Sequence, residues 1–140
     1  MVIISGARCT GSPTDFRMTF RSGSYLTTGY LAGATVNLFN STTLRNDNAT
    51  TFCYMAGTGA THLPLSSDFY NATVWLYNIQ NAGATPSFYG TCSYNGTGTS
   101  FVEGEWFGTN TGTAVIDGVK FATTGTTWAV GEFKLYGVTS

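Results

Sequence analysis

Charge is scarce in this 140-residue sequence: Asp, Glu, Lys and Arg together make up 9% of it, against about 25% in an average soluble domain. The formal net charge is −1. Copies of such a chain repel one another weakly, and a surface so poor in charge is solubilised weakly. That composition suits a place inside an assembly better than free existence at high concentration. The six basic residues, Arg8, Arg17, Arg21, Arg45, Lys120 and Lys134, form no stripe or cluster. An electrostatic footprint for nucleic acid or for an anionic membrane surface is therefore missing, and neither is expected as a partner.

Other absences narrow the field further. No apolar run approaches the roughly 20 residues of a membrane-spanning helix. The opening Met1-Val2-Ile3-Ile4-Ser5-Gly6 has neither a basic n-region nor a full h-region, so it does not read as a secretory signal. If the sequence is complete, the expectation is a chain that folds in a cytoplasm or leaves it only by lysis. The three cysteines, Cys9, Cys53 and Cys92, are odd in number and contain no CxxC pair, which excludes a zinc ribbon or a thioredoxin-type motif. Cys53 and Cys92 lie in strand-like stretches, where a free cysteine usually serves as a small buried hydrophobe. Reduced structural thiols are expected, with one disulfide as the alternative.

His62 is the only histidine, so a His-based metal site would need several carboxylates to complete it. Beside Pro64 it reads as a solvated loop residue. No G-x-S-x-G nucleophile elbow occurs. Gly57-Thr58-Gly59 and Gly96-Thr97-Gly98 lead into no Lys-Ser/Thr and no helix, so they read as turns and not as phosphate loops. The N-x-S/T sequons at Asn40, Asn48, Asn71 and Asn95 arise easily in a chain this rich in Asn and Thr.

What the chain does have is β-forming material. Hydrophobic residues make up 42% and aromatics 15%, with 18 glycines, enough apolar bulk for one core and enough turn-formers to bound short strands. Its length fits one domain. Phe16, Met18 and Phe20 alternate with Asp15, Arg17, Thr19 and Arg21, the pattern of a half-buried strand. Further strands are expected at Thr35 to Phe39, Thr51 to Ala56, Ala72 to Ile79, Ser87 to Tyr94, Phe101 to Phe107, Thr113 to Phe121 and Trp128 to Tyr136. Thr51 to Ala56 and Ala72 to Ile79 are apolar on both faces and are expected to be buried on both. The polar stretch Asn40 to Thr50 reads as a loop or hairpin connection. No stretch carries a 3.6-residue stripe with caps. The fold class that follows is all-β: a single-domain antiparallel β-sandwich over residues 1–140, jelly-roll-like, with about eight strands and little or no helix. Residues 1–10 form a possible N-terminal arm, in which Val2, Ile3 and Ile4 would lie on a neighbouring subunit or a shell; a first edge strand is the alternative.

Chemistry is sparse. Glu103 and Glu105 share one face of a strand, roughly 7 Å apart along it, a spacing that does not by itself exclude a glycosidase pair. With Val102, Gly104 and Trp106 on the opposite face, the pair reads instead as a solvated surface. No catalytic residue, metal ligand or cofactor site is assigned, and the chain is not expected to be an enzyme. Trp75, Trp106, Trp128 and the tyrosines are core filler, interface anchors or a sugar-stacking platform.

The run Ala114-Val115-Ile116-Asp117-Gly118-Val119-Lys120-Phe121, followed by Gly131-Glu132-Phe133-Lys134-Leu135-Tyr136-Gly137-Val138, resembles the closing strands of small virion structural proteins of tailed bacteriophages. In those, an I-x-x-[IV]-x-F strand leads through a small-residue turn to a G-x-F-x-L-Y-G ending. The likeness covers about 25 residues; elsewhere it is one of style. It implies a virion structural protein. With no shaft repeat and no heptads, the chain is more similar to capsid decoration (cement) proteins than to tail fibres. That resemblance implies the major capsid protein and further copies of the chain, as a homotrimer, for partners, and the capsid exterior for a location. The alternative is a receptor- or carbohydrate-binding module such as a phage tail fibre tip.

Overall fold

The computed structural model of the chain describes residues 1–11, 15–38, 41–55, 69–95 and 101–137. These residues form β1 (Val2–Cys9), β2 (Asp15–Ser22), β3 (Ser24–Tyr25), β4 (Tyr30–Leu38), β5 (Ser41–Thr50), β6 (Cys53–Tyr54), β7 (Tyr70–Tyr77), β8 (Ser87–Asn95), β9 (Phe101–Asn110), β10 (Gly118–Thr124) and β11 (Trp128–Leu135). No helix occurs among the described residues. The large sheet runs β11-β1-β7-β8-β9-β4-β5, and the small one runs β10-β2-β3 with β6 also on β2. Every pairing is antiparallel. The all-β antiparallel sandwich read from the sequence is the fold observed. The chain passes repeatedly between the sheets, while β7, β8 and β9 run as a meander within one of them.

The core lies between the sheets. The alternation in β2 works as its sequence dictates: Phe16, Met18 and Phe20 are each at most 1% exposed. Phe16 stacks on Tyr70 of β7 with ring centres 4.7 Å apart, and meets Trp128 of β11 edge-on at 5.0 Å. Phe20 meets Tyr30 and Phe88, each at 6.1 Å. Two buried tyrosines then bind the sheets together by hydrogen bonds. The Phe20 amide donates to the Tyr30 hydroxyl at 2.7 Å, and the Tyr70 hydroxyl donates to the Met55 carbonyl at 2.7 Å. The first satisfies a β2 amide beyond the reach of the short strand β3, and the second a carbonyl just after β6.

Trp106, 1% exposed, is the largest buried side chain. Its neighbour in register on β8 is Gly90, where any Cβ would fall inside the indole ring. The glycine is therefore a packing requirement of the tryptophan.

Several expectations are corrected. Val2, Ile3 and Ile4 are not a free arm: β1 is an interior strand, paired to β11 on one side and β7 on the other. Val2 and Ile4 are 3% and 1% exposed, because their alternation places them on the core face. Nor is Ser41–Thr50 a loop; it pairs with β4 along its whole length. Of Thr51 to Met55 only Cys53–Tyr54 pairs as strand, Ala56 lying outside the described residues, and the strand expected from Thr113 begins at Gly118. In β7 the second apolar face is not buried, since Trp75 is half-buried and Tyr77 is 49% exposed. His62, the Gly57-Thr58-Gly59 and Gly96-Thr97-Gly98 turns and Asn40 lie outside the described residues.

Candidate binding face

Two surfaces of the sandwich have a chemistry that the fold alone does not need. The first is the outer face of the large sheet. The register aligns its side chains in rows across four strands, β7-β8-β9-β4. Trp75, Tyr89 and Phe107 form one row, ending at Gly33. One step along the strands comes Thr73-Thr91-Glu105-Thr35, and the next is Asn71-Ser93-Glu103-Asn37. The two polar rows, apart from Thr35, floor an open trough of about 490 Å³ that reaches Ile3 and Ser5 on β1.

Aromatic rings flank this floor. Trp75 and Tyr89 lie with ring centres 5.6 Å apart and planes tilted by 32°. Phe107 is 49% exposed, and Phe101 at the opposite end of β9 is 52% exposed. The Tyr89 hydroxyl donates to Glu105 Oε1 at 2.9 Å. That bond, to a carboxylate that would repel a phenolate, holds the Tyr89 phenol above its ordinary range. Asn71 accepts a 2.9 Å hydrogen bond from the Gly6 amide at the bulge of β1, which ties that strand to the polar floor. Glu103 and Glu105 both lie exposed on this one face, as their alternation with the buried Val102 and Trp106 implies.

The second surface is the free edge at β11. Val130, Phe133, Leu135 and Tyr136 are 47%, 41%, 72% and 43% exposed. A groove of about 520 Å³ opens between this edge and the small sheet, lined by Val119, Phe121, Trp128, Phe133 and Leu135 among others. Phe121 and Phe133 stack across it at 5.9 Å, and the Trp128 indole N–H donates to the Phe121 carbonyl at 3.2 Å. The strand is held on its inner side by β1, an interaction extended by mutual backbone bonds of 2.8 Å between Met1 and Tyr136. Its outer side has no strand partner among the described residues.

The three tryptophans thus divide. Trp106 is core, Trp128 walls the edge groove, and Trp75 stands in the open aromatic row. Sequence reasoning singled out Trp75 but not its alignment with Tyr89 and Phe107, which depends on the register of three strands. The cysteines are all buried and unbridged. Burial pushes the Cys9 thiol up to about 11 and the Cys92 thiol up to about 12. Among the described residues, no three His, Cys, Asp or Glu side chains cluster as metal ligands, and no helix is long and apolar enough to cross a membrane.

The fold defines a two-sheet antiparallel β-sandwich with an aromatic-rimmed polar face and an apolar free edge. Compared with protein-family models, with curated proteins and with solved structures, the chain matches none.

Proposed function

We propose that this chain is a non-catalytic structural protein of a tailed-phage virion, of the capsid decoration type. It assembles with copies of itself and binds the major capsid protein on the shell exterior. One observation carries the reading: the G-x-F-x-L-Y-G half of the segment that resembles phage virion proteins runs along the apolar free edge. An exposed edge strand carrying Val130, Phe133, Leu135 and Tyr136 is an association site unless something covers it. With a net charge of −1, little repulsion opposes a second copy of the chain as the cover.

The sheet order is compatible with a ring. An edge that meets its own equivalent closes as a dimer, whereas two different edges meeting head to tail can close as a trimer. The large sheet ends in β11 on one side and β5 on the other, which supplies two different edges for that contact.

The test is the copy number of the chain in purified particles, by quantitative mass spectrometry against the major capsid protein. Decoration requires hundreds of copies per particle. A handful would instead support a receptor- or carbohydrate-binding tail tip, the second reading, which the row Trp75-Tyr89-Phe107 on an open face favours. Absence from the particle overturns both virion roles.

A further inference from the structure

We infer that the outer face of the large sheet is a binding trough for a neutral, extended polysaccharide strand. A sugar chain presents flat C–H faces alternating with hydroxyl groups, so it is recognised by aromatic plates set beside clustered hydrogen-bonding groups. The face has that arrangement. Trp75, Tyr89 and Phe107 stand side by side on adjacent strands, each partly exposed although the core offers buried places for aromatics. Carboxylates, amides and hydroxyls follow in the next two rows. Cross-strand contact between Trp75 and Tyr89 supports the sheet, but it does not require Phe107, 49% exposed, to extend the row, where the neighbouring rows carry Thr, Ser and Asn.

Shape and charge restrict the ligand. The trough, at about 490 Å³, falls in the range of small-ligand clefts, roughly 300–1,000 Å³. It lies on an open sheet face without enclosing walls, which suits a chain passing through better than a molecule to be enclosed. Glu103 and Glu105 line it, and no Lys or Arg does among the described residues. The nearest cation in register is Lys134, opposite Ile3 on β11, and it is paired with Glu132 at 3.0 Å. Sulfated, phosphorylated or uronic-acid polymers would meet uncompensated carboxylates, so the ligand is uncharged. The Tyr89–Glu105 bond fixes one plate against one acceptor, so part of the site is ordered before the sugar arrives.

This site is independent of the apolar edge, and the two stand or fall separately. Affinity electrophoresis tests it, with the whole chain run through native gels containing neutral polymers (xyloglucan, glucomannan, laminarin, dextran) or anionic ones (alginate, heparin). The expected result is retardation in at least one neutral gel and in neither anionic gel. Phe107→Ala and Glu103→Ala, both at exposed positions, weaken the retarding interaction at least tenfold while the melting temperature stays at that of the parent. No retardation in any neutral gel, equal retardation in the anionic gels, or retardation indifferent to both substitutions overturns the site. None of these outcomes alters particle copy number, so failure here is distinguishable from failure of the virion reading.

Discussion

Gly131 of β11 lies against Ala7 of β1 so closely that a Cβ added to it would stand 2.6 Å from the Ala7 Cα. The contact falls where β1 bulges between Ser5 and Arg8, with Gly6 at φ 58° and Gly131 at φ 141°. The first glycine of the G-x-F-x-L-Y-G ending is therefore required twice, by backbone conformation and by space. Gly137, the last glycine of that ending, meets nothing within 4 Å. We predict that Gly131→Ala destabilises the fold by about 1–3 kcal/mol, while Gly137→Ala changes it by less than about 0.5 kcal/mol. Urea unfolding of the two variants checks the contrast.

Tyr30→Phe removes the acceptor of the Phe20 amide without removing the ring that packs on Phe20. A buried donor left unsatisfied costs about 1–3 kcal/mol, and that is the predicted loss. The same bond sits in an environment where burial raises the Tyr30 phenol to about 12. Ultraviolet titration of the folded protein should therefore show a tyrosine that resists ionisation at pH 11 and is missing from the variant's alkaline titration.

At the start of β10, Asp117 accepts from Arg21 Nε at 2.8 Å and from the Gly23 amide at 2.9 Å. These donors, the backbone amide first, hold its carboxyl below the usual carboxylate range. A depressed folded-state pKa stabilises at pH above the unfolded value and loses that stabilisation as pH falls through the folded one. Asp117→Asn should therefore melt lower than the parent near neutrality. The gap should close as pH drops below about 4, toward the folded-state pKa. The effect is small, because both side chains are nearly half exposed. A gap that persists at the acid end would contradict the ion-pair account.

Burial raises the Cys9 and Cys92 thiols to about 11 and about 12, which leaves almost no thiolate at neutral pH. Both should resist a disulfide-exchange reagent in the folded protein and react fully in denaturant. Fast labelling of either in the native state would mean that β1 or β8 opens locally.

Local pattern made much of this structure legible. The period-2 alternation of Phe16, Met18 and Phe20 identified a core strand, and the alternation of Glu103 and Glu105 with Val102 and Trp106 assigned both faces of β9. The failures share a cause, which is pairing. Ser41–Thr50 is a strand because β4 offers it a continuous row of backbone partners, and an edge strand needs no apolar period. Val2–Ile4 resembled a loose arm because three apolar residues carry no information about the strands on either side. The aromatic row was invisible for the same reason: Trp75, Tyr89 and Phe107 meet only through the register of β7, β8 and β9.

The measurement that bears most directly on the assembly reading is the mass of the purified chain by light scattering coupled to size exclusion, alongside Leu135→Lys. The chain mass is 14.9 kDa. Association through the β11 edge predicts a particle of about three times that mass, reduced to the single-chain mass by the lysine, with the melting temperature of the isolated fold retained. A parent chain that stays at the single-chain mass at high concentration, or an oligomer that ignores Leu135→Lys, would contradict it.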